Sequence, residues 1–378
     1  MKFDNINIQD RMWRFCEEVN KVGADVCILT DGYNIHYLSG YSGHEGMMLV
    51  AGKKYYILTD SRYTEQAGIE APDFTIVDIA SLGYSKTIAK ILGELYEQKY
   101  NNNLKDTVIN IGFENKNISY EQYKALVDNL TMYNCNFIEL ADKINSLRII
   151  KNDEEIEYLS RAEKIGDEAF NHILSVLHPG MTELEVALEL EIAMKKRGAT
   201  AVSFDTIAAF GSNSSLPHAK VSDKKLEEGS FLTMDFGCIY NNYCSDMTRT
   251  VFIGDNPSER QLLVYNTVLK AQQEALRVIK PGMKCNEVDR VARDVIKDAG
   301  FGDYFGHGLG HGVGLFIHEE PRFSPKCNDI LKPGVVITVE PGIYLPGEFG
   351  VRIEDMVVIT EDGYRNLTNS PKELIMIK

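Results

Sequence analysis

Four acids in the C-terminal part of the chain sit where an acid is costly. Asp235 ends the apolar run SFLTMD and Glu340 ends VVITVE; each is followed by a second acid in strand-forming sequence, Asp246 in CSDMTRTVF and Glu354 in VRIEDMVVI. A carboxylate in such a setting loses hydration unless it is paired or bound to a metal. Four of them approaching one place cannot all stay ionised without a cation, and that many hard oxygen donors suits two divalent ions bridged by water. His311, in GHGLGHGVGLFIHEEP, adds a nitrogen donor and admits a borderline ion such as Mn, Co or Zn. His307, His311 and His318 cluster in this glycine-rich segment, and only one is needed as a ligand. GHGLGHG can be forced into a dinucleotide fingerprint, but no βαβ unit with a distal acid follows it.

The elements that must position these residues are written as an internal repeat. HPGMTELEVALELEIAMKKRGA, from His178, matches KPGMKCNEVDRVARDVIKDAG, from Lys280, with Pro179 on Pro281, Glu185 on Glu287 and Val186 on Val288. Each copy reads as a turn followed by an amphipathic helix. LEEGSFLTMDFG, from Leu226, aligns without gaps on LKPGVVITVEPG, from Leu331, which places Asp235 on Glu340. A duplicated unit packs as two halves about a pseudo-twofold axis, so Asp235 and Glu340 are expected to converge.

Ahead of the repeat, residues 1–140 alternate helical and strand patterns: helix over 9–22, strand over 25–29, a hairpin over 47–58, helix over 84–98, strand over 107–113 and helix over 119–130. Asn152 with Glu155 makes a capping box for a helix whose apolar stripe is Ile156, Leu159, Ala162, Ala169, Phe170, Ile173, Leu174 and Leu177. The reading is therefore an α/β (α+β) chain of two domains, 1–140 and 150–378.

Composition narrows the function. The chain of 378 residues exceeds the roughly 250 to 300 at which single cores split. Its 55 acidic and 40 basic residues give a formal charge of -15, which repels nucleic acid and anionic lipid. The start MKFDNINIQD lacks the pattern of a signal peptide, and no apolar run approaches the ~20 residues that span a bilayer, so a cytoplasmic location is expected. Seven scattered cysteines without a CxxC pair read as reduced thiols.

With these residues placed, the chain resembles the metallopeptidase group of methionine aminopeptidase, aminopeptidase P and prolidase (family M24), whose catalytic domain has the pita-bread fold. The resemblance rests on the five candidate ligands and on SLPHA at 215–219, MDFGCIYNNYCSDMTRT at 234–250, GHGLGHGVGLFIHEEPRF from 306, VEPGIY at 339–344 and GVRIEDMV at 350–357. NIHYLSGYSG at 34–43 and ILTDSRYTEQA at 57–67 look like the creatinase-type N-terminal domain of the proline-specific branch.

The resemblance implies metal ligands at Asp235, Asp246, His311, Glu340 and Glu354, with Asp246 and Glu354 bridging two ions, Mn first and Co or Zn as alternatives. It implies that His318 and His218 stabilise the scissile carbonyl oxygen, that Glu340 shuttles a proton, that His307 lines the pocket beyond the scissile bond, and that Arg352 orients carboxylates. A bond to proline lacks an N–H and carries a fixed ring, so an apolar slot is required, with Tyr304, Phe305 and Phe316 as candidates. The activity expected first is an Xaa-Pro aminopeptidase. The alternative is an Xaa-Pro dipeptidase (prolidase) in which Arg322 anchors the substrate carboxylate. A non-catalytic binding protein on the same scaffold is opposed by the intact ligands. Proline-specific relatives form dimers, so a homodimer is expected, with Tyr33–Gly43 or Tyr63 reaching the partner's site.

Overall fold

The computed structural model describes residues 6–100 and 108–378. The chain separates into two compact units, Met1–Arg148 and Ile149–Lys378.

In the first unit, chain order is α1 (Ile6–Val22), β1 (Val26–Leu29), α2 (Gly32–Ser39), β2 (Met47–Ala51), β3 (Lys54–Thr59), α3 (Thr64–Glu70), β4 (Thr75–Asp78), α4 (Gly83–Tyr100), β5 (Val108–Phe113), α5 (Tyr120–Asn129) and β6 (Asn134–Glu139). The strands form one mixed sheet in the order β4-β3-β2-β1-β5-β6. Every expected element of this unit is present, position 107 lying outside the described residues. Periodicity missed α2, α3, β4 and β6. In α2 five of eight residues are buried, so no polar face marks it; its start is fixed by the Asp31 carboxylate, which accepts from Tyr33 N at 2.8 Å.

The second unit opens with α6 (Asp153–Val176) and α7 (Glu183–Lys196), then β7 (Ala201–Val202), β8 (Ile207–Phe210), β9 (Ser230–Phe236), β10 (Cys238–Tyr240), β11 (Tyr243–Cys244) and β12 (Met247–Ile253). It continues with α8 (Glu259–Val278), α9 (Cys285–Asp298), β13 (Gly310–Gly312), β14 (Glu319–Phe323), β15 (Val336–Val339), β16 (Gly342–Leu345), β17 (Phe349–Arg352), β18 (Asp355–Ile359), β19 (Tyr364–Asn366) and β20 (Met376–Ile377). The capping box is formed: Asn152 Oδ1 accepts from Glu155 N and Glu155 Oε2 from Asn152 N, both at 2.9 Å.

The repeat in the sequence is a repeat in hydrogen bonding. Gly180 N donates to Leu226 O at 2.8 Å, and Gly282 N to Leu331 O at 2.9 Å. Leu226 N bonds Met181 O, and Leu331 N bonds Met283 O, each at 2.8 Å. β9 runs antiparallel to β12 with Asp235 opposite Thr248, and β15 antiparallel to β18 with Val339 opposite Asp355. Each helix pair seals its own half. Phe170 of α6 and Val186 of α7 pack with Leu232 and Met234 of β9, while Val268 of α8 and Val288 of α9 pack with Ile337 of β15 and Val357 of β18. Two such cores hold the strand ends rigid, and those ends carry the acids. Among the described residues no helix is long and apolar enough to cross a membrane.

Candidate active site

All five candidate ligands line one cavity of about 1070 Å³ in the second unit. Asp235 lies near the end of β9, Asp246 just before β12, His311 on β13, Glu340 just after β15 and Glu354 just before β18. Asp246, His311 and Glu354 are buried, and each offers a donor atom within 4.8 Å of the others. His311 Nε2 is 3.4 Å from Asp246 Oδ2 and 3.5 Å from Glu340 Oε1. His311 Nδ1 faces the Gly312 carbonyl at 3.1 Å. A carbonyl only accepts, so Nδ1 carries the hydrogen and Nε2 presents its lone pair to the acids.

The electrostatics are those of a cluster lacking positive charge. Burial pushes the carboxyls of Asp246 and Glu354 well above the ordinary range, and repulsion from Asp235 on the first and from Asp246 on the second adds to it. Burial raises Glu340 as well, against the pull of His311 and Arg352. Asp235 Oδ1 is buried and has no hydrogen-bond partner among the described residues. A buried acceptor left that way costs about 1–3 kcal/mol, more when charged. An orphaned oxygen beside a closed set of carboxylates and one imidazole nitrogen fits divalent cations.

Neighbouring side chains hold the donors in place. Thr248 Oγ1 donates to Glu354 Oε2 at 2.7 Å and accepts from Arg352 Nε at 3.0 Å. Arg352 Nη2 reaches Asp235 Oδ2 at 2.6 Å, and its Nη1 donates to the Tyr344 hydroxyl at 2.8 Å. Burial alone would lower the Arg352 guanidinium, but Tyr344, Asp235, Glu340 and Glu354 outweigh it and keep it charged. The chain continues to His307, whose Nδ1 meets the Gly308 carbonyl at 2.7 Å while its Nε2 lies 2.9 Å from the Tyr344 hydroxyl. Nδ1 is therefore the protonated nitrogen, and Tyr344 donates to Nε2. Burial and Arg352 lower His307 to about 4, so its ring stays neutral. Beneath Asp246, the fully buried Glu163 accepts from Asp246 N at 3.3 Å.

His218, His307, His318, Arg322 and Arg352, all anticipated from sequence, line the same cavity. The His318 ring meets the His311 ring edge-on, centroids 4.6 Å apart. Arg322 is half-buried and weakly held, its Nη2 3.4 Å from His318 O and its Nε 3.8 Å from Glu320. The aromatic candidates for a proline slot are corrected, since Tyr304, Phe305 and Phe316 are not among the residues lining the cavity. Phe305 belongs to the core around α8 and α9, and Tyr304 and Phe316 are exposed. The apolar wall is made instead by Leu184, Leu188, Phe204 and Ile207.

Sequence reasoning missed Tyr344, Thr248 and Glu163. Tyr344 ends the VEPGIY motif without an assigned role, and Glu163 is an acid in phase with the apolar stripe of α6. The glycine run is explained by close packing: a Cβ at Gly310 would strike the Thr338 carbonyl, and one at Gly312 the Glu320 carbonyl.

Residues 157–361, the segment that holds the site, match the family described as Metallopeptidase family M24. The chain belongs to this family. Residues 11–150 match the Creatinase/Prolidase N-terminal domain. The chain is thus a creatinase-type N-terminal domain followed by an M24 pita-bread domain. "Uncharacterized peptidase YqhT" of Bacillus subtilis is 42% identical over 357 residues, covering 94% of this chain and 97% of that protein. The structure of an Xaa-Pro dipeptidase from Bacillus anthracis is similar at a TM-score of 0.90 and 40% identity, over 98% of this chain and 100% of that one. An X-Pro aminopeptidase structure from Thermotoga maritima matches at a TM-score of 0.85 and 36% identity, over 96% and 100% of the two chains. Membership of a metallopeptidase family implies divalent ions, and Asp246, His311 and Glu354 form a buried group that could hold one.

Proposed function

We propose that this M24 chain is a dinuclear-metal Xaa-Pro aminopeptidase that removes the first residue from peptides with proline in second position. The reading is carried by the convergence of Asp235, Asp246, His311, Glu340 and Glu354 in one cavity that also holds three further histidines and an apolar wall. Two divalent ions held by these five residues would supply Lewis acidity, polarising a carbonyl and bringing the ionisation of water toward neutral pH. Manganese is assigned first because oxygen donors outnumber nitrogen, with Co or Zn as alternatives.

The chain's own side chains do the rest. Glu340, at the edge of the cluster, would pass a proton to the departing proline nitrogen. Partial burial and His311 lower His318, so it faces the cavity neutral, and it donates with His218 to the oxygen where charge develops. Leu184, Leu188, Phe204 and Ile207 offer the apolar surface a bond without an N–H requires. A cavity of about 1070 Å³ has room for more than a dipeptide. The same reading makes the enzyme a cytoplasmic homodimer, which sedimentation of the purified protein and fractionation of cells would check.

An Xaa-Pro dipeptidase is the second reading. Arg322 in the cavity wall favours it as an anchor for a product-side carboxylate, as does the similarity to the Bacillus anthracis dipeptidase. Metal-stripped protein given manganese with Ala-Pro and Ala-Pro-Pro decides between them. Release of alanine from the tripeptide is expected of the aminopeptidase. Cleavage of the dipeptide alone moves the assignment to the dipeptidase, and no turnover with any divalent ion removes both.

A further inference from the structure

The segment between β8 and β9 carries Pro217, His218, Ala219, Lys220 and Val221, five consecutive residues of the cavity wall. Its two ends are tied to a single acid. Glu183, the first residue of α7, is fully buried, and its Oε1 accepts from Phe210 N at 2.7 Å and from Asn213 Nδ2 at 2.9 Å. Its Oε2 accepts from Ser222 N at 3.0 Å and from the Ser222 hydroxyl. One carboxylate thus bonds donors at both ends of the stretch that presents His218. The positive end of α7 favours charge at that position.

The repeat supplies a comparison inside the same chain. Glu183 in HPGMTELEV aligns with Cys285 in KPGMKCNEV. Cys285 begins α9 as Glu183 begins α7, yet it sits in the apolar core. At this position the first half carries a buried acid and the second half a thiol. Capping alone does not account for it, because Thr182 already caps α7 by accepting from Glu185 N at 3.2 Å.

We propose that Glu183 is a positioning residue for the peptidase reaction, acting through the 210–222 segment to hold His218 toward the metal cluster. The inference rests on the proposed peptidase reading. Replacing Glu183 by Gln puts an N–H₂ in place of one of the two oxygens, opposite the Phe210 N–H and Asn213 amide or opposite the Ser222 N–H and hydroxyl, so one end of the segment is released while the volume is kept.

Two readouts test this on the full-length protein. The first is hydrogen exchange in E183Q, where amides of 211–221 are expected to exchange at least tenfold faster while those of β9 and β12 keep their wild-type rates. The second is a mutant cycle with manganese and Ala-Pro-Pro. E183Q and His218→Ala are each expected to lower kcat/KM about 10–100-fold, and the double variant to be no more than about twofold slower than His218→Ala alone. A double variant that loses the product of the two factors overturns the proposal, as does unchanged exchange in 211–221. If E183Q does not fold, Ser222→Ala removes one donor pair's hydroxyl from the clamp and is read the same way. A wild-type protein inactive on every Xaa-Pro substrate defeats the peptidase reading instead, and with it the proposed positioning of His218; exchange still shows whether the clamp exists.

Discussion

Arg352 Nη2 lies 2.6 Å from Asp235 Oδ2, deep in the cavity. This contact occupies Oδ2 and leaves the buried Oδ1 without a hydrogen-bond partner among the described residues, so the guanidinium sets which oxygen remains for a cation. Arg352→Lys keeps the charge but loses the fork that also bonds Thr248 and Tyr344. We expect a 10–100-fold loss in metal affinity or kcat/KM. Calorimetric titration of manganese into the variant measures it.

The metal-free protein should be less stable in alkali than in mild acid. Folded, the Asp246 and Glu354 carboxyls titrate well above the ordinary range and Glu340 at about 7, driven first by burial. Unfolded, they ionise near ~4. Between those values the folded chain holds protons the unfolded chain has lost, so stability falls as pH rises through this window. The melting temperature of stripped protein is expected to be lower at pH 8 than at pH 5.5. Manganese at 100 times its Kd adds about 2.7 kcal/mol for each ion bound and is expected to raise the melting temperature at pH 8.

Tyr344→Phe removes the hydroxyl between Arg352 and His307 and leaves buried partners unsatisfied. The expected loss of stability is about 1–3 kcal/mol. Activity should fall more than stability explains, because His307 loses the donor that orients its ring. Urea unfolding beside steady-state kinetics separates the two effects.

Behind Glu354, Asp355 accepts from Arg249, Gln272, Asn366 and Lys372. Burial would raise its carboxyl, but Arg249 and Lys372 outweigh that and hold it below the usual range. Asp355→Ala strands the buried Arg249 guanidinium and should cost about 3–5 kcal/mol. Chemical denaturation measures the loss directly.

On the cavity wall, Leu184 is 50% exposed and Leu188 56% exposed, so they add little to the core. Leu184→Ser with Leu188→Ser should change stability by no more than about 0.5 kcal/mol each. KM for a peptide substrate should rise several-fold, since the apolar contact is made only when substrate is bound. A parallel thermal melt and KM determination checks both halves of this expectation.

The acids were legible because each breaks an apolar strand pattern, and the repeat made Asp235 and Glu340 a pair before any coordinates. The capping box at Asn152 and Glu155 was legible for the same reason, being a local pattern with one physical meaning. Tyr344 and Glu163 were harder, because their partners lie 37 and 83 residues away in the chain. The aromatic candidates failed on another count. Side-chain type cannot say which face of a segment turns inward, and Phe305 turns toward the core under Arg293, 4.4 Å from its ring. α2 was hidden because burial on most of its sides erases the amphipathic period.

The central claim is that two divalent ions in this acid cluster make the chain a peptidase for Xaa-Pro bonds. Manganese titrated into stripped protein, with Ala-Pro-Pro hydrolysis followed at each step, tests it most directly. The account predicts two ions per chain, activity that rises with their binding, and neither full binding nor turnover in Asp246→Ala. Turnover that survives stripping, or saturation without any hydrolysis of an Xaa-Pro bond, would contradict it.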